Sequence, residues 1–304
     1  MSRRSVPWLV LAAWLTGCRP AAPPAQSSQP TPVAAPAPAP KLHFVAYGDS
    51  RSRPDKHRAV VAQIAKVAPE AVFHTGDLVG DGADLDLWRQ AVAIVQPINT
   101  PKCPYYLGFG NHERGVVDLQ QYFDLPAAPG RHYYSVLKAN CLFLMLDTTT
   151  LRLPGKDEEQ IAWLRDELAK HATNPGEHLF VILHHPPFAI GEYAPGDLTI
   201  RKRLHPLLVA ARPAAVFCGH DHHYYRTVRD GVPYIVTAGG GAPLYDPKPA
   251  LAQPGDKFVK SLHFVDCLVR GAKVDCRVID DQGQELDRFN LGVRPGAKPA
   301  EQQR

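Results

Sequence analysis

Beyond residue 40 the chain alternates between short apolar runs and amphipathic stretches. Leu42–Tyr47, Ala71–Thr75, Leu179–Leu183 and Ala214–Cys218 are apolar-rich runs of strand length. Such runs describe strands buried on both faces. Between them lie stretches with helical periodicity. Residues 55–68 place Ala59, Val60, Ile64 and Val67 on one face, and 157–171 do the same with Ile161, Leu164 and Leu168. Further helices are expected over 84–96 and 199–211. Residues 132–137 and 141–147 read as a hairpin around Lys138-Ala139-Asn140. From Tyr224 the pattern turns to strand, over 224–229, 232–237, 261–269, 273–279 and 284–290. The whole predicts an α/β fold, a four-layer α/β/β/α sandwich of two mixed sheets flanked by helices.

The ends read differently. Arg3 and Arg4 precede the apolar run Val6–Leu15, which is too short to cross a bilayer. The run closes on Leu15-Thr16-Gly17-Cys18, which resembles the lipobox of bacterial lipoproteins. That resemblance implies cleavage before Cys18 and its lipidation; an ordinary secretory signal is the other reading, and both export the protein. Residues 1–17 are thus expected to be a signal peptide and 18–40 a lipidated cysteine with a Pro/Ala-rich tether. A domain is expected over 41–292, followed by a polar tail over 293–304. The location implied is the bacterial cell envelope, with the domain facing the periplasm or the exterior. The membrane partner would be reached through Cys18.

Composition narrows the classes. The 304 residues are 45% hydrophobic and 21% charged, which is ordinary for a globular chain. The formal charge is only +4, and two of those charges, Arg3 and Arg4, would leave with segment 1–17. No nucleic-acid partner is expected from so slight a balance. Five cysteines remain besides Cys18. If Gly271-Ala272 makes a two-residue turn, Cys267 and Cys276 stand opposite each other across a hairpin. They are then either a disulfide or two free thiols.

The candidate chemistry sits where apolar runs end. Gly48-Asp49-Ser50-Arg51, Gly76-Asp77-Leu78, Gly110-Asn111-His112-Glu113, His184-His185-Pro186 and Gly219-His220-Asp221-His222-His223 each follow such a run. Open α/β sheets place their ligand sites at these strand ends. Carboxylate, amide oxygen and imidazole without thiolate suit divalent Mn, Fe or Zn. Any one Gly-Asp is an ordinary turn; five clusters in series point to a shared metal centre.

The ordered set resembles the calcineurin-like metallophosphoesterase superfamily, especially its purple-acid-phosphatase-like bacterial branch, over roughly residues 41 to 290. The resemblance implies two divalent metal ions bridged by Asp77. One would also take Asp49 and His222; the other would take Asn111, His184 and His220. His112 would bind the substrate phosphate and protonate the leaving group. His184 and His185 compete for one ligand position, and the His-x-Pro pattern of the family favours His184. His223 and Glu113 are expected behind the ligands.

Two positions depart from the pattern. Much of the superfamily reads Asp-x-His at the first motif, and here the third position is Arg51, which cannot ligate a metal. Water or His57 could complete that metal, or Arg51 could hold the phosphate in its guanidinium fork. Gly80 stands where purple acid phosphatases carry a metal-bound tyrosine, so no purple colour is expected. The implied activity is hydrolysis of a phosphorylated small molecule, most simply a phosphomonoester. The alternatives are a phosphodiesterase acting on glycerophosphodiesters or nucleotides, and an inactive metal-binding lipoprotein. The sequence leaves the oligomeric state open.

Overall fold

The computed structural model describes residues 41–291, apart from positions 117, 129, 154, 156 and 175. The expected signal peptide 1–17, Cys18 with its tether, and tail 293–304 lie outside the described residues. Among the described residues no helix is long and apolar enough to cross a membrane.

The strands are β1 (Lys41–Tyr47), β2 (Ala71–His74), β3 (Tyr105–Leu107), β4 (Tyr134–Lys138), β5 (Cys141–Met145), β6 (His178–Leu183) and β7 (Ala215–Cys218). They continue with β8 (Tyr224–Arg229), β9 (Val232–Thr237), β10 (Lys257–Val259), β11 (His263–Arg270), β12 (Lys273–Asp280) and β13 (Glu285–Leu291). The helices are α1 (Pro54–Val67), α2 (Leu85–Val95), α3 (Thr148–Leu151), α4 (Glu158–Ala172) and α5 (Leu198–Ala211). One sheet has six strands in the order β13-β12-β11-β1-β2-β3, and the other has seven in the order β10-β8-β9-β7-β6-β5-β4. Both are mixed: β1 runs parallel to β2 but antiparallel to β11, and β9 runs parallel to β7 but antiparallel to β8.

Period-2 alternation divides each central strand between two cores. In β6, Phe180 and Ile182 enter the core between the sheets. Its Leu179, Val181 and Leu183 face a second core with Leu164 of α4 and Leu204 and Leu208 of α5. Between the sheets, Phe44 of β1 meets Phe143 and Phe180 edge-on at 5.0 Å each. Phe73 of β2 stacks on Phe143 at 3.9 Å. Each fully buried phenylalanine stabilises by about 1.5–3 kcal/mol relative to exposure. Helix starts are locally encoded: the Asp84 carboxylate accepts the N–H of Asp86 and Leu87 ahead of α2, and Asp197 accepts that of Ile200 in α5.

The structure adds short pieces that the pattern did not predict, namely β10 and α3, and gives the run before Gly110 its bounds as β3. Three or four residues carry too little periodicity to stand out. The β11–β12 hairpin has the expected register, with Arg270 opposite Lys273 and Cys267 opposite Cys276. The two cysteines are free thiols and not a disulfide. Both side chains are fully buried between the sheets, where a cysteine packs as a small apolar residue. Burial pushes the Cys267 thiol well above its usual range, so the reactive thiolate is disfavoured.

Candidate metal centre

The turns after β1, β2, β3, β6 and β7 meet at one rim of the sandwich, stitched together by backbone hydrogen bonds. The Asp49 N–H donates to the Gly76 carbonyl at 3.0 Å and the Gly219 N–H to the His184 carbonyl at 3.0 Å. The His220 N–H donates to the Asp49 carboxylate at 3.0 Å and the His112 N–H to Asp77 Oδ1 at 3.0 Å. Four residues of these turns hold left-handed backbones without being glycine: Asp49 (φ 56°), Ser52 (φ 72°), Asp77 (φ 59°) and His220 (φ 73°). Such conformations persist where the surroundings enforce them, and they cluster at functional sites. At Gly76 (φ +98°) a Cβ would come within 2.7 Å of the Gly110 nitrogen.

Two groups of donors converge there. Asp49, Asp77 and His222 form one, and His184, His185 and His220 the other. The ring orientations define their chemistry. His184 Nδ1 lies 2.9 Å from the Thr75 carbonyl and His222 Nδ1 lies 2.7 Å from that of Pro243. A carbonyl only accepts, so each Nδ1 carries the proton and each Nε2 presents a lone pair. His184 Nε2 faces Asn111 Oδ1 at 3.1 Å and Asp77 Oδ1 at 3.4 Å. His222 Nε2 faces Asp49 Oδ1 at 3.3 Å. Lone pairs therefore point at lone pairs within buried surroundings, which is unfavourable unless a cation lies among them. The donor set fits borderline-hard divalent ions, with the imidazoles held from behind by backbone carbonyls.

The electrostatics agree. Burial alone would raise the Asp49 carboxyl, but the His222 contact and the neighbouring imidazoles outweigh it and hold the group down at about 2. Burial opposes protonation of His184, yet Asp77, Asp49 and Glu113 overcome it and shift that imidazole upward. Carboxylates that draw a proton onto a buried imidazole would draw a divalent cation in its place.

The sequence candidates sort as follows. Asp49, Asp77, Asn111, His184, His220 and His222 all lie at this rim. His184 faces the shared Asp77, whereas both nitrogens of His185 are occupied, Nδ1 by Thr148 Oγ1 at 2.8 Å and Nε2 by Arg152 at 2.9 Å. His57 does not turn to the first donor group: its Nε2 bonds the Tyr47 hydroxyl at 3.1 Å. His223 is buried outside both groups, its Nε2 3.8 Å from Asp221. Arg51 reaches Asp77 Oδ2 with Nε at 3.4 Å. His112 donates Nδ1–H to the Gly80 carbonyl at 2.7 Å, leaving Nε2 3.8 Å from Asp77 Oδ2.

Sequence reasoning missed several wall residues. Tyr193 stacks on His220 at 3.8 Å and Tyr245 on His222 at 4.3 Å. Arg114, Arg152 and Tyr193 also line a recess of about 530 Å³ beside Asn111 and His220. Both tyrosines and Arg152 come from loops without hydrophobic period, so only their tertiary placement shows them. Arg114 adjoins the Asn111-His112-Glu113 cluster, and that adjacency was the one available signal.

Residues 42–224 match the family model described as calcineurin-like phosphoesterase. The chain belongs to the calcineurin-like phosphoesterase family. Its activity class is therefore hydrolysis of phosphoric esters. The phosphoesterase is 26% identical to tartrate-resistant acid phosphatase type 5 of Oryctolagus cuniculus over 242 residues, 66% of this chain and 73% of that one. It is 24% identical to probable purple acid phosphatase 20 of Arabidopsis thaliana over 188 residues, 57% of this chain and 43% of the relative. Among solved structures, purple acid phosphatase PPD1 from yellow lupin superposes with a TM-score of 0.73 at 20% identity, over 85% of this chain and 55% of that one. The phosphoesterase thus spans little more than half of the lupin chain. GAP50, described as the anchor in the inner membrane complex of Plasmodium, superposes at 0.66 with 14% identity, over 84% of this chain and 90% of that one. Both superpositions speak to the fold alone.

Proposed function

We propose that this phosphoesterase is a dinuclear phosphomonoesterase that works outside the cytoplasm, held to a membrane through lipidated Cys18. The observation that supports it best is the facing of lone pairs among His184, Asn111 and Asp77, and between His222 and Asp49. Asp77 would bridge, with Asp49 and His222 on one side and Asn111, His184 and His220 on the other. Two divalent cations held there, Mn, Fe or Zn, would supply a water acidified towards neutral pH and Lewis-acid stabilisation of the phosphate.

The remaining work falls to the chain. Arg51, half-buried against Asp77, offers its fork to two phosphate oxygens and offsets charge that builds up in the transition state. His112 is anchored by Gly80 so that Nε2 faces the centre. Protonated there, it would deliver that proton to the departing alkoxide oxygen. The glycine turns let the ligand-bearing segments approach closely: a Cβ at Gly110 would come within 2.3 Å of Asp77 Oδ1. A purely anchoring role would not require this acceptor set or His112.

The test is turnover by the purified chain loaded in turn with Mn, Zn and Fe. A chromogenic phosphomonoester and the matching diester are compared side by side. Metal-dependent hydrolysis of the monoester, abolished by chelator, supports the proposal. Preference for the diester would make it a phosphodiesterase, and no turnover of either ester with any metal would remove the enzymatic reading.

A further inference from the structure

The recess beside the centre contains charge that hydrolysis itself does not use. It measures about 530 Å³ and runs from Asn111 and His220 to Arg114, Arg152, Asp197 and Leu198. Arg152 is fixed from two sides: Nε pairs with Asp197 Oδ2 at 2.8 Å and Nη1 donates to His185 Nε2 at 2.9 Å. Both oxygens of Asp197 are engaged, Oδ2 by Arg152 and Oδ1 by the Ile200 N–H at 2.9 Å. Arg114 is exposed at the recess and pairs with no carboxylate among the described residues. One guanidinium is thus preorganised and a second is free, with no uncommitted acid among the lining residues. Leu198 and Tyr193, which line the same recess, are 61% and 41% exposed and offer apolar surface to a carbon skeleton.

We propose that Arg114 and Arg152 form a subsite for a second anionic oxygen group, carboxylate or phosphate, on the alcohol portion of the substrate. The inference rests on the phosphoesterase reading, since the recess opens beside Asn111 and His220. A guanidinium fork matches either oxyanion with two parallel hydrogen bonds. Binding energy gained there is remote from the reacting phosphorus, so it selects among leaving groups.

The experiment compares phenyl phosphate with 3-carboxyphenyl phosphate as substrates of the metal-loaded full chain. Calorimetry compares the two matching phosphonates, which cannot turn over. The wild type is expected to favour the carboxylated member in both readouts. In Arg114→Gln, and again in Arg152→Gln, the ratio of the two kcat/KM values should fall about tenfold, mainly through KM. The ratio of the two phosphonate affinities should fall in parallel. Among the described residues the exposed Arg114 side chain makes no hydrogen bond or ion pair that its removal would break, so its variant guards against misfolding as an explanation. Hydrolysis of phenyl phosphate with no preference, or with a preference the variants leave intact, overturns the subsite and spares the hydrolase. Tighter binding of the carboxylated phosphonate that the variants abolish, without any turnover, supports the subsite and removes the hydrolase.

Discussion

The Glu113 carboxylate holds the backbone of Asp77. Oε2 accepts the Asp77 and Gly110 N–H groups at 2.8 Å each, and Oε1 accepts that of Leu78 at 2.6 Å. The group is fully buried. Burial, and then the charge of Asp77, push its carboxyl up to about 7, while the backbone donors pull the other way. Glu113→Ala would leave those donors orphaned in the interior, each at a cost of about 1–3 kcal/mol. A fall in Tm of about 5 °C or more is expected, together with reduced metal content, because the turn that aims Asp77 would lose its anchor. Glu113→Gln should fall between, since its amide turns a donor towards donors. A variant with unchanged Tm and full metal content would contradict the anchoring role.

That relationship shows what the sequence can reveal. The order of clusters was legible because each follows a run buried on both faces, and a strand end is where a sheet offers ligands. That Glu113 stands behind Asp77 was also legible as a type of role. Which of His184 and His185 faces Asp77 was not visible in composition. It is decided by Thr148 and Arg152, which occupy both nitrogens of His185 from α3 and the loop after it. Tyr193 was illegible for a related reason: the Asp221 carboxylate fixes its loop by accepting the Gly191 N–H at 2.8 Å, a contact between segments 30 residues apart. The cysteine pair was legible in register and not in redox state, because opposition across a hairpin permits either.

His112 tests the proton donor. With Nδ1 committed to Gly80, only Nε2 can serve the leaving group. His112→Ala is expected to lower kcat by about 10²–10⁴, measured with a poor leaving group such as an alkyl phosphate. The loss should shrink with p-nitrophenyl phosphate, whose leaving group needs little protonation. Equal losses for both esters would point to binding and not to proton transfer.

Asp77 tests the bridge. Its carboxylate faces both His184 and Arg51, at 3.4 Å each. Asp77→Ala should abolish metal binding, read as near-zero metal by elemental analysis after dialysis. In the wild type, metal at 100 times its Kd would add about 2.7 kcal/mol to stability. Stripping with chelator should therefore lower Tm by several degrees, and the variant should show no such shift. Near-stoichiometric metal in the variant would defeat the bridging assignment.

Arg51 separates two roles for one position. If it binds phosphate, Arg51→Gln should raise KM about tenfold, the size expected for a lost charge-assisted hydrogen bond. Arg51→His should instead supply an imidazole next to the Asp49, Asp77 and His222 group. That variant should hold its metals against a higher chelator concentration than the wild type, while sharing the raised KM. If neither KM nor metal retention moves, Arg51 is only a counter-charge to Asp77.

Asp266 makes a prediction independent of the centre. It lies on β11, buried, with Oδ1 2.5 Å from His43 Nε2 and Oδ2 3.1 Å from Arg277 Nε. Burial would raise its carboxyl, but His43 and Arg277 together outweigh that and hold it below the ordinary range. A depressed folded-state pKa means the ionised group stabilises the fold. That contribution is complete above the unfolded value of about 3.9 and disappears as pH falls through the lower folded value. Asp266→Asn should therefore lower Tm at pH 7 by about 5 °C, and the gap from wild type should close as the pH is taken below 4. Melting curves of both proteins across that range measure it. A gap that stays constant into acid would mean that packing and not charge holds β1, β11 and β12 together at this point.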